Sequence, residues 1–403
     1  MAPTRFGVIV FPPMPSRIVS GLRPTAVNSV LAEVKALQAQ GRDIVSLMRG
    51  EPDFPTPPHI TAAAAKALAD GRTTYPDNRG EMKYREAVVA KLQRDNNVTY
   101  DVSEVLITTG ATLGLHCALT ALVNPGEEVL LPNPVYDAYQ SPIRLTGAVP
   151  KPVNSLIENG RFTLPLAALE AAVTPASKVL LLNTPWNPVG TVFIRSELEA
   201  IGEFVLRHKL TLISDEIYEA ITYDGAKHVS PASLSPELRE STVIVNSLSK
   251  TYAMTGWRSG YCAAPKQILN AMFLVLQQSS RGPAMFVQDA SAVALAGPQD
   301  CVAAMQAEYA RRRDVVMREL SGIPGVKPLA PEGGFFVMAD TRELGEPSDA
   351  TRRRLLEKHG VVVVHGSAYG SQGEGTLRVS FSSGATLTKG LERLRAGLLE
   401  PRG

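Results

Sequence analysis

From about residue 100 the chain repeats one unit: a short run of β-branched and leucine residues, a polar end, then a stretch with helical periodicity. EVLITTG leads into ATLGLHCALTALV, EEVLLPNP opens the next unit, and KVLLLNTPWNP precedes SELEAIGEFVLRHK. The series continues through LTLISDEIYEA, TVIVNSLSK, RSGYCAAP and the helical QILNAMFLVLQQSS. Runs that are apolar along their whole length, rather than at alternate positions, belong to strands buried on both faces, and the interleaved amphipathic helices supply the cover. The pattern predicts an α/β fold built on a mainly parallel sheet with helices on both sides.

After about residue 300 the character changes. A long charged helix, CVAAMQAEYARRRDVVMREL, precedes a hairpin region, PLAPEGGFFVMAD, then another helix, a VVVV strand and LRVSFS. These predict a small α+β domain over residues 296–403, a large domain over 61–295, and an N-terminal segment, 1–60, packing with the small domain. Within the long helix, the run Arg311-Arg312-Arg313 is expected on a solvated face.

Charge and cysteine usage exclude several functions. The 41 Lys+Arg nearly cancel 39 Asp+Glu, leaving +2, so no electrostatic footprint for nucleic acid or a membrane surface is expected. Cys117, Cys262 and Cys301 lie far apart without metal-ligand spacing, which suits a reducing compartment. In the opening MAPTRFGVIVFPPMPS the apolar run is cut short by Pro12 and Pro13, too soon for a secretory signal, and no stretch approaches the roughly 18 apolar residues of a membrane span. A cytoplasmic protein is expected.

In an open parallel sheet, ligands sit beyond the carboxyl ends of the strands, so the polar residues that end each apolar run are the candidates for function. LITT ends in Gly110-Ala111-Thr112 and opens into a helix, either an anion site made by backbone N–H groups or a glycine turn needed only for packing. LLLNTPWNPVG ends in Asn187 between Pro185 and Pro188, which reads equally as a stiff turn. LTLISDEIY sets Asp215 and Glu216 at a strand end, where a carboxylate needs a cation or donors, with Tyr218 in reach. TVIVNSLSK brings Lys250 to another strand end; a desolvated amine there suits Schiff-base chemistry, and a surface lysine is the alternative. A phosphate cradle, a carboxylate, a phenol, an amide and an amine together are the inventory for gripping pyridoxal 5′-phosphate.

The motifs GEPDFPTPPHI, YPDNRGEMKYREAV, TTGATLGL, PNPVYDAY, NTPWNPVGT, SDEIYEAI, SLSKTYAMTGWRSGY, PEGGFFV and LRVSFS carry a resemblance, from about residue 15 to residue 400, to the fold-type I, class I/II aminotransferases of the aspartate aminotransferase superfamily. It implies the PLP-dependent transferase fold of type I with a seven-stranded sheet, and a homodimer whose active sites lie at the subunit interface. It also implies ping-pong transfer of an amino group from an L-amino acid to a 2-oxo acid through a Lys250 aldimine and a ketimine. By the same resemblance Asp215 pairs with the ring nitrogen, and Asn187 and Tyr218 bond the phenolic oxygen. Ser247, Ser249 and Arg258 hold the phosphate with the backbone of Gly110, Ala111 and Thr112, Tyr136 stacks on the ring, and Tyr75 reaches the partner's phosphate. Arg378, with Asn187, takes the substrate carboxylate, and Gly50 lets the N-terminal segment close over the substrate.

Trp257 is expected in packing and His116 as a satisfied core histidine. Arg49 and Arg281 depart from the family pattern and are expected to face the substrate in at least one case; His365 stands where many relatives have proline. A lyase or oxidase working from the same carbanion is the alternative activity. A noncatalytic ligand-sensing regulator is a further one, for which the residues before the GEPDF stretch are expected to be too few.

Overall fold

The computed structural model describes residues 16–22 and 24–400, so most of the opening apolar run lies outside the described residues. Seven strands form the large sheet, in the spatial order Val105–Thr108, Gly260–Ala263, Thr242–Ser247, Thr211–Asp215, Ser177–Asn183, Glu128–Asn133 and Val149–Asn154. All run parallel except Gly260–Ala263, which is antiparallel to both its neighbours. The runs are continuously apolar because each face is covered. Leu181, Ile213, Val243 and Val245 pack with the helices Ala111–Leu122 and Lys266–Ser279. On the opposite face Leu180, Leu182 and Leu212 meet Phe204 and Val205 of the helix Arg195–Arg207, and Ile244 meets Ile60, Tyr84 and Val88.

Register brings the polar strand ends together. Asn183 lies beside Asp215, Asp215 beside Val245, and Gly260 between Thr108 and Ser247. A four-stranded sheet, ordered Lys327–Leu329, Phe336–Asp340, Thr376–Ser380 and Val364–His365, is antiparallel throughout. The VVVV run is shared between two sheets: Val361–Val362 pairs in parallel with Val45–Ser46, whereas Val364 pairs with Arg378. The ribbon that follows Val45–Ser46 is strung across the molecule, with the Leu47 N–H donating to the Val362 carbonyl and the Leu47 carbonyl accepting from Ser380.

The arginine run is not a solvated face. Arg312 and Arg313 are buried, and only Arg311 is exposed. Arg312 pairs with Asp53 at 2.8 Å and stacks between Phe54 and Tyr309, while Arg313 pairs with Asp224 at 2.6 Å. Beside the local partners Glu308 and Asp314, these two acids come from distant segments, which a local charge pattern does not reveal.

Two glycines are required by contact. Gly110 has φ +77° and a Cβ there would lie 2.7 Å from Arg258 Nη2. A Cβ on Gly260 would lie 2.8 Å from the Asn246 carbonyl oxygen and from the Gly110 backbone. Gly260→Ala therefore pushes apart the two turns at the strand ends. The expected outcome is a loss of about 1–3 kcal/mol of stability, measured by urea unfolding, together with weaker phosphate binding; unchanged unfolding would contradict the contact.

Candidate active site

A cavity of about 690 Å³ lies over the strand ends. The helix Ala111–Leu122 begins there with Gly110 as its cap and no side-chain cap on its first N–H groups, the arrangement that receives an anion. Ala111, Thr112, Ser247, Ser249 and Arg258 line the same end of the chain's strands and the cavity. Arg258 adopts the left-handed conformation, φ +54°, and donates to the Thr255 carbonyl at 3.1 Å; a non-glycine residue held there stores strain of order 1–3 kcal/mol, a frequent mark of a binding site. Ser247 caps the four-residue helix Leu248–Thr251 that carries Lys250.

Lys250 Nζ donates to the Gly50 carbonyl at 2.6 Å. Burial, reinforced by Arg258 and Arg378 against the opposing pull of Glu51, lowers its pKa to about 8. Asp215 is 4% exposed. Its Oδ2 accepts from the Tyr139 hydroxyl at 2.6 Å and its Oδ1 from the Ile217 amide at 3.2 Å. Burial raises the Asp215 pKa to about 6, with Tyr139 pulling it down. Arg378, 3% exposed, donates to the Met48 carbonyl at 3.0 Å and to Asn187 Oδ1 at 3.3 Å, and lies on the Phe336 ring at 4.1 Å. Its Nε has no partner among the described residues, and no carboxylate pairs with it there. A buried guanidinium in that state calls for an anion.

The set fits pyridoxal phosphate on its own chemistry: a buried carboxylate without a paired cation, a neutralisable amine, uncapped amides and a buried arginine lacking an anion. Comparison with known proteins decides the matter. The profile described as "Aminotransferase class I and II" matches residues 42–394. The chain belongs to this family. It is 38% identical over 370 residues to an aspartate aminotransferase of Geobacillus stearothermophilus, covering 91% of this chain and 93% of that one. It is 39% identical over 348 residues to the arginine–pyruvate transaminase AruH of Pseudomonas aeruginosa, covering 86% and 87%. The crystal structure of an aspartate aminotransferase from Rhizobium meliloti matches with a TM-score of 0.92 at 34% identity, over 96% of this chain and 98% of that one. The chain is accordingly a pyridoxal-phosphate-dependent aminotransferase of fold type I, acting on amino acids and 2-oxo acids; the lyase, oxidase and regulator alternatives are not favoured.

Within this aminotransferase, the cavity gathers Gly50, Ala111, Thr112, Tyr136, Asn187, Asp215, Tyr218, Ser247, Ser249, Lys250, Arg258 and Arg378, with Gly110 immediately behind Arg258. Tyr75 is not among them: it is 82% exposed, with Arg281 stacked on its ring at 5.1 Å. Arg49 lines the cavity and Arg281 does not. Trp257 donates to Thr56, His116 is half-buried away from the cavity, and His365 bonds Ser367 and approaches Asp349. Sequence reasoning missed Tyr139 and Asn183, whose amide bridges the Asp215 carbonyl and the Asn187 N–H. It also missed the helix Ala26–Ala39, whose Val27, Asn28, Leu31 and Lys35 wall the cavity; its amphipathic pattern was the available signal. Asn187 and Pro188, like Thr184 and Pro185, are joined by cis peptide bonds.

The lowered Lys250 pKa gives a measurable signature. Covalent attachment of pyridoxal phosphate to the cofactor-free protein, fixed with borohydride and counted by mass, is expected to speed up with pH and level off just above about 8. An ordinary lysine would keep accelerating to about 10.4, and that outcome would remove the assigned environment.

Proposed function

We propose that the chain transfers the amino group of an L-amino acid to a 2-oxo acid with the following division of labour. When bound, pyridoxal phosphate supplies an aldehyde for the amino group and a ring that accepts the electron pair left at Cα. The Lys250 amine is the covalent anchor and, once displaced, removes and returns the proton at the substrate Cα. The Asp215 carboxylate holds a proton on the ring nitrogen. Asn187 and Tyr218 donate to the phenolic oxygen; the Asn187 oxygen is already engaged by Arg378, which leaves its NH₂ for that purpose. Ser247, Ser249, Arg258 and the amides at Ala111 and Thr112 bind the phosphate beyond Gly110, and the Tyr136 ring excludes water from one face. Arg378 exchanges its carbonyl and amide partners for the substrate carboxylate in a two-pronged contact. The observation that carries this reading is the burial of Asp215 and Arg378 in one cavity with Lys250, each lacking an ion-pair partner among the described residues.

The same reading includes a homodimer with shared sites, in which Tyr75 serves the partner's phosphate; its 82% exposure in the single chain supports this. It includes a cytoplasmic location, supported by three free cysteines. Among the described residues no helix is long and apolar enough to cross a membrane. The division at residues 60 and 295 is supported by the separate four-stranded sheet and by the pairing of Val45–Ser46 with Val361–Val362. Gly50 acts through its carbonyl, which Lys250 must leave during turnover.

For the substrate we favour donors with a second acidic group. Arg49 and Lys35 line the cavity without a side-chain partner among the described residues, whereas Glu51 is engaged by Thr255 and Asp137 by the Val27 amide. The test is a product-identified panel of aspartate, glutamate, arginine and aromatic amino acids, each with and without 2-oxoglutarate or pyruvate. Acidic donors are expected to lead, and to require an oxo acid. Arg49→Ala is expected to lower kcat/KM for them roughly tenfold or more, the effect of losing one charged contact, and to spare neutral donors. Preference for arginine, or ammonia release without an acceptor, would replace the reading.

A further inference from the structure

Asp215 ends a strand that is buried from Leu212 onward, and what keeps its carboxylate in one orientation is a tyrosine from elsewhere in the chain. Tyr139 closes the turn Asp137–Tyr139 that follows the strand Glu128–Asn133. Its hydroxyl donates to Asp215 Oδ2 at 2.6 Å, within the range of a charge-assisted O–H···O⁻ bond. The other oxygen accepts from the Ile217 amide, so the carboxylate is pinned at both ends and cannot rotate freely. The Tyr139 ring also meets Tyr136 edge-on at 5.3 Å and 89°, so one side chain braces both Tyr136 and Asp215.

We propose that Tyr139 is a positioning residue for the transamination, its hydroxyl holding the Asp215 carboxylate ionised and aimed at the ring nitrogen. The proposal rests on the role assigned to Asp215 above. Tyr139 is suited to it because its phenol stays protonated: burial first, then the Asp215 charge, pushes its pKa well above the ordinary tyrosine value. It is therefore a donor at every pH at which the enzyme works. The groups that act on Asp215 from the surrounding elements are Tyr139, Glu216 and Lys250, and Asp215 is in turn felt by Tyr136, Tyr218 and Cys262. Tyr139 is the strongest of those that favour the charged form. A hydrogen bond to the ionised form lowers a carboxyl pKa, so its removal raises that pKa, and neutral solution then begins to find Asp215 protonated.

The experiment compares the pH dependence of the pyridoxal phosphate Kd, read by tryptophan fluorescence between pH 5 and 9, in the unmodified protein, Tyr139→Phe, Asp215→Asn and the double variant. Folding is checked by urea unfolding. In the unmodified protein affinity is expected to fall as the pH drops through about 6. In Tyr139→Phe that limb moves up by about one pH unit, weakening binding about twofold at pH 7 and approaching tenfold near pH 5. In the Asp215→Asn background the tyrosine change adds nothing, because the interaction is already gone. A second variant keeps the size of the side chain: a ring-fluorinated tyrosine at 139, a stronger donor, is expected to move the limb down. If Asp215→Asn loses the acid limb while neither change at residue 139 moves it, the positioning role is overturned and the role of Asp215 stands. If Asp215→Asn leaves affinity and profile intact, the assignment of Asp215 fails, and this proposal with it.

Discussion

An ionised carboxylate at the end of a strand that is apolar on both faces is the constraint around which this molecule is organised. Asp215 is only 4% exposed there, and without a partner its burial is unfavourable by several kcal/mol. The Tyr139 hydroxyl and the Ile217 amide offset part of that penalty, and the residual strain shows as a pKa raised to about 6. In the role proposed for Asp215, a cationic ring nitrogen would remove the remainder.

The same reasoning extends to the other charged groups of the cavity. Burial pushes Lys250 towards its neutral, nucleophilic form and leaves Arg378 without a counter-ion. In the proposed assignment each group is left in a state that a different part of the bound species would correct: the ring, the aldehyde and the substrate carboxylate. Sheet register makes this possible, because Asn183, Asp215 and Ser247 end on neighbouring strands and Gly260 permits the close approach of the turns beside them.

The α/β class and the gathering of Lys250, Asp215 and Asn187 in one cavity were legible because continuous apolar runs mark buried strands and their polar ends mark the ligand side. What was not legible depended on partners remote in sequence. Tyr139 lies 76 residues from the aspartate it serves, and nothing about a tyrosine in a turn announces that bond. Arg312 and Arg313 read as a surface run since Asp53 and Asp224 lie far outside any local window. Nor did the apolar run GYCA disclose that it travels against its neighbours, since direction leaves no trace in periodicity.

Three consecutive residues carry a further consequence. Met48 gives its carbonyl to Arg378, Arg49 gives its own to Ser380 and Ser382, and Gly50 gives its own to Lys250. One short tape of backbone thus holds both a buried guanidinium and a buried amine, so a ligand that claims either group frees a carbonyl within three residues of the other.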